Sequence, residues 1–149
     1  MALLRWRSLL AGLWAGVLLC VAGIATPAPF ALLAVADAGR VAGRILAQEA
    51  TLSLALGLVL ALMERRVARN GSTQFSTGLV LALGTIFCTV AGYFAIQPMM
   101  PAARLGQGPL TFGQLHAISA GFYGVKLLLV LALAWRATRS GSTATAPSS

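Results

Sequence analysis

An all-α, polytopic membrane four-helix bundle is the fold class this sequence predicts, and three observations predict it. Of the 149 residues, 58% are hydrophobic and only 9% charged, whereas soluble domains carry roughly 25% charged residues. Mean hydropathy is +0.86. Charge-free runs cover 29 residues at positions 8–36 and 34 residues at positions 70–103, and about 20 helical residues suffice to cross a hydrocarbon core about 30 Å thick. Two further apolar segments, 45–63 and 112–135, are each interrupted by one ionisable residue, Glu49 and Lys126. A chain so poor in charge could not cover a soluble surface, which excludes an ordinary cytosolic enzyme and a free nucleic-acid-binding domain.

The elements follow in order. Helices are expected over residues 9–33, 42–63, 76–98 and 113–135. Pro27 and Pro29 kink or end the first, because proline lacks the N–H that continues a helix. Arg5, Arg7 and the small residues Ala25-Thr26-Pro27-Ala28 also have the form of a signal peptide. The run continues to Ala36 and prolines crowd the cleavage point, so the first helix is expected to remain uncut. Asp37 is the expected N-cap of the second helix, and Asn70-Gly71 its stop. Thr111-Phe-Gly-Gln114 has the spacing of a capping box for the fourth. No connecting piece is long enough to bury a soluble core, so residues 1–137 form one domain. Residues 138–149, rich in Ser, Thr and Ala, form a polar tail expected to be disordered.

The net charge of +8 is a threading signal. Arg5, Arg7, Arg65, Arg66, Arg69, Arg136 and Arg139 fall on the side of the termini; Arg40, Arg44 and Arg104 fall on the other. The positive-inside rule then places both termini in the cytoplasm. The preference for Arg, Ala, Leu and Gly suggests a GC-rich bacterial genome, hence the bacterial cytoplasmic (inner) membrane. Trp6, Trp14 and Trp135 are expected as interfacial anchors. The expected partner is the lipid bilayer, with a homo-oligomer or membrane-protein partner beside it, and no nucleic acid.

Lipid supplies no hydrophobic push between helices, so small residues and interhelical hydrogen bonds must hold them. Gly12-Gly16-Cys20, Ser53-Gly57-Ala61, Gly84-Cys88-Gly92 and Ala117-Gly121 recur at four-residue spacing. Cys20 and Cys88 read as small buried hydrophobes. Polar residues inside spans are costly and often mark ion or proton pathways. Glu49, Gln97 and His116 have similar expected depths and form a candidate cluster; the structural alternative pairs Glu49 with Arg44 or His116. At 100° per residue, His116, Ser119, Tyr123 and Lys126 form a stripe on the fourth helix, expected to face protein or a polar cavity. No catalytic residue, metal site or cofactor is expected: one histidine, no CxxC and no Walker A, GxSxG or HExxH pattern argue against those chemistries.

The segments Gly12-Leu-Trp-Ala-Gly16, Pro27-Ala-Pro-Phe30, Asp37-Ala-Gly-Arg40-Val-Ala-Gly43, Gln97-Pro98-Met99 and Phe112-Gly-Gln-Leu-His116-Ala-Ile-Ser119 resemble the transmembrane-protein-205-like family. The resemblance spans about residues 9–136. It implies a four-helix membrane protein of unknown biochemical activity and assigns no catalytic residue. Two functions are therefore weighed: a non-enzymatic structural or interaction protein, and a small oligomeric transporter handling protons or cations through the Glu49, Gln97 and His116 cluster.

Overall fold

The computed structural model describes residues 2–70 and 76–142. Helix α1 (Ala2–Cys20) passes into a π-helical turn at Val21–Ala25 and then α2 (Ala28–Leu32). Helix α3 runs over Val35–Asn70. Helix α4 (Thr77–Thr89) passes into a second π segment at Val90–Ala95, a 3₁₀ turn at Gln97–Met99, and α5 (Met100–Arg104). Helix α6 runs over Phe112–Ser142. No strand occurs among the described residues. Four spans, Ala2–Leu32, Val35–Arg69, Thr77–Arg104 and Phe112–Arg139, are long and apolar enough to cross a membrane.

Local chemistry explains the breaks. The π segments of the first and third spans precede Pro27 and Pro98, which cannot donate to the preceding turn; Thr26 N closes the wide turn on Val21 O at 2.9 Å. Between α5 and α6, Gly106 and Gly108 adopt φ of 71° and 107°, a region open to glycine but strained for other residues. The expected capping box forms at the start of α6: Gln114 N donates to Thr111 Oγ1 at 3.3 Å, and Thr111 N donates to Gln114 Oε1 at 2.9 Å.

Helix α1 packs on α3 and α6, and α4 packs on the same two. The pairs α1/α4 and α3/α6 are therefore diagonal. One end carries both termini (the terminal end); the other carries the Leu33 and Gly106 turns (the loop end). The core joins Trp14 and Leu18 of α1, Leu60 of α3, Ala82 of α4, and Val130 and Leu133 of α6. Leu13, Leu58, Phe87 and Leu128 point outward, the apolar belt that a bilayer would cover.

Several expectations are corrected. The helices extend beyond the expected bounds of 9–33, 42–63, 76–98 and 113–135, most at Ala2, Val35, Asn70 and Ser142. Asp37 lies inside α3, bonded to Arg40 rather than capping the helix. Residues 138–142 of the expected tail are helical, while residues 143–149 and the Gly71 half of the Asn70-Gly71 stop lie outside the described residues. Trp14 is core, 1% exposed, not an interfacial anchor. Cys88 is buried but Cys20 is exposed. Ser53, Gly57 and Cys88 face inward, whereas Gly12, Gly16, Ala117 and Gly121 face outward.

Candidate functional site

The most polar place inside the spans is an ion pair across the α3/α6 diagonal. Lys126 Nζ donates to both carboxylate oxygens of Glu49, at 2.7 and 2.9 Å. Relative exposure is 3% for Lys126 and 5% for Glu49. The two helices make no extensive backbone contact with each other, so only long side chains can bridge them. Both helices run from the loop end towards the terminal end, and side chains lean towards a helix N-terminus. The two charged groups therefore lean the same way and meet.

Every polar atom of the pair has a partner. Ser53 Oγ, one turn below Glu49, donates to Glu49 Oε1 and lies 3.5 Å from Lys126 Nζ. Trp14 Nε1 donates to Ser53 Oγ at 3.0 Å, bringing α1 into the network. The ammonium also sits 4.6 Å from the centroid of the Tyr123 ring, a cation–π contact that strengthens away from water. A small cavity of about 30 Å³ adjoins the pair, with Cys88, Thr89 and Gly92 on its α4 side and Ser119 and Tyr123 on α6. It has room for about one water molecule.

Helix α6 also serves the two π segments. Tyr123 Oη donates to Leu18 O at 2.8 Å, just before the first, and Ser119 Oγ donates to Gly92 O at 2.6 Å, inside the second. Broken helices persist in a membrane where neighbouring hydroxyls satisfy the freed backbone groups. Gly92 allows the close approach: a Cβ there would overlap Phe122 Cβ.

The structure thus brings Glu49, Ser119, Tyr123 and Lys126 together. It leaves Gln97 and His116 apart. Gln97 is exposed in the 3₁₀ turn, and His116 is exposed, stacked on Phe112 with ring centroids 6.1 Å apart. The Glu49, Gln97 and His116 cluster does not assemble, and neither Arg44 nor His116 is the partner of Glu49. The cause is a helix boundary. With α3 starting at Val35, Glu49 is the fourteenth residue after the start, and Lys126 is the fourteenth after Phe112, about 21 Å of helix in both. His116 lies ten residues, about 15 Å, nearer the loop end than Lys126.

Sequence reasoning also missed a second buried pair. Arg7 Nη1 lies 3.2 Å from Glu64 Oε1 at the terminal end, both side chains nearly inaccessible. Glu64 lies one residue beyond the expected second helix, beside Arg65 and Arg66, and so falls outside the reasoning about polar residues inside spans. Its carboxylate lies over Gly78, where a Cβ would overlap it; that absent side chain was the available signal.

With this geometry in hand, comparison with known proteins adds one match. Residues 9–108 match a family model described as a domain of unknown function, DUF4149. The chain belongs to the DUF4149 family. The match covers the first three spans, including Trp14, Glu49 and Ser53, and ends before the α6 residues Tyr123 and Lys126. No curated protein and no solved structure matches the chain.

Proposed function

We propose that this DUF4149 chain is a non-enzymatic, multi-pass membrane protein that works as a structural or interaction partner, with the Glu49–Lys126 pair as its internal brace. The observation that carries this reading is that the interior charge is spent on itself: both carboxylate oxygens and the ammonium are engaged, and the adjoining cavity of about 30 Å³ has room for about one water, too little for a substrate. The outward Gly12, Gly16, Ala117 and Gly121 offer the small surfaces that close helix–helix association uses, which supports a homo-oligomer or a membrane-protein partner. The transmembrane-protein-205-like resemblance, the bacterial inner membrane and the cytoplasmic termini belong to the same proposal, the last resting on the seven-to-three arginine asymmetry.

A second reading, a small oligomeric permeation unit for protons or cations, is favoured by the cavity beside the pair. One experiment separates the two. Labelled protein in liposomes is followed for association by energy transfer, while an internal pH dye reports proton flux. The interaction reading expects association that Gly16→Leu weakens, with no flux above empty vesicles. Flux abolished by Lys126→Met, without loss of folding, would establish the permeation unit instead.

A further inference from the structure

The outward face of α3 differs from that of the other spans. Arg44, Gln48 and Thr51 are exposed along it, followed by Leu52 and Ala55, and these residues with Ala47 line an open groove of about 570 Å³. Arg44 lies at the edge of the apolar stretch: positions 45–64 separate it from Arg65, 20 residues or about 30 Å of helix, one hydrocarbon thickness. Arg44 therefore stands at phosphate level when Arg65 stands at the opposite interface. Gln48 lies one turn deeper, about 6 Å, and Thr51 about 4.5 Å deeper again. Cation, amide, hydroxyl and hydrocarbon succeed one another along the groove, in the order of a phospholipid's phosphate, ester linkage and acyl chain.

Charge decides between occupants. The chain has three acids, and each is already engaged: Asp37 with Arg40, Glu49 with Lys126, and Glu64 with Arg7. Glu49 and Glu64 are buried, so the only acid a second copy could offer Arg44 is Asp37, which is already paired with Arg40. We infer that the α3 groove is a binding site for one anionic phospholipid in the leaflet at the loop end. Arg44 holds the phosphate by charge-assisted hydrogen bonds, Gln48 donates to an ester carbonyl, and Leu52 and Ala55 flank the first methylenes.

The test is native mass spectrometry of the full chain released from mixed micelles of phosphatidylglycerol and phosphatidylcholine, counting lipid retained per chain. The wild type should retain one phosphatidylglycerol in clear preference to phosphatidylcholine. Arg44→Gln should lower that retention about tenfold, as loss of one charge-assisted contact predicts. Arg44→Lys should keep most of it, and Arg69→Gln, at the far end of α3, should leave it unchanged. Arg44 is exposed, so thermal unfolding of Arg44→Gln should match the wild type. Equal retention of the two lipids, or undiminished retention by Arg44→Gln, overturns the inference. So does a dimer that Arg44→Gln or Gln48→Leu converts to monomer without loss of lipid, which would make a second copy the occupant.

Discussion

The two buried ion pairs solve different problems. Glu49 and Lys126 join helices that scarcely touch, deep between them, and their polar atoms find Ser53, Tyr123 or the opposite charge, with Trp14 holding Ser53 in turn. Arg7 and Glu64 join neighbouring helices at the terminal end, and Arg7 Nε has no hydrogen-bond partner among the described residues. Breaking a buried pair by removing one partner is severe because the other charge is left stranded. That cost should scale with distance from water, so position along the span, not burial by protein, should rank the two pairs.

The largest effect is expected from Lys126→Met, which strands Glu49 in the bundle interior. Unfolding in mild detergent should show a loss of about 3 kcal/mol, and adding Glu49→Leu should recover most of it, since an apolar pair of similar volume replaces an ion pair at little cost. Arg7→Met should lose less, about 1–2 kcal/mol, because Glu64 adjoins the exposed Arg65 and so lies nearer to water than Glu49 does. An Arg7→Met loss equal to that of Lys126→Met would break the ranking. Trp14→Phe keeps the ring in the core but removes the donor to Ser53, and should cost about 1 kcal/mol. The smallest effect belongs to His116→Ala, expected within about 0.5 kcal/mol of wild type because the side chain is exposed and outside the network.

Much of the fold was legible in the sequence because membrane spanning is a length-and-polarity problem. Two charge-free runs and two runs with single interruptions located all four spans, and Thr111 with Gln114 located the start of α6. Less could be read of the site. The stretch around Asp37, Arg40 and Arg44 is helical but too polar to register as apolar span, so the second helix was started at residue 42 instead of Val35. That shift of seven residues placed Glu49 about 10 Å too near the loop end and matched it with His116 instead of Lys126. The pairing was nonetheless implicit in the sequence: one acid and one base, each alone in an apolar run, on helices running the same way. Which side of each helix faced inward was harder to read. Gly12 and Gly16 have the spacing of a packing face, yet Ala11, Trp14 and Leu18 occupy the core, because small residues serve an outer partner as well as an inner one.

The central claim is that Glu49 is held by Lys126 across the α3/α6 diagonal. A double-mutant cycle of Glu49→Gln and Lys126→Met, read from reversible unfolding of the full chain in detergent, tests it most directly. The two substitutions should be coupled by about 1.5 kcal/mol or more, since residues in contact through a shared charge do not add. Additivity within about 0.5 kcal/mol, or a larger coupling of Glu49 to His116 than to Lys126, would contradict it.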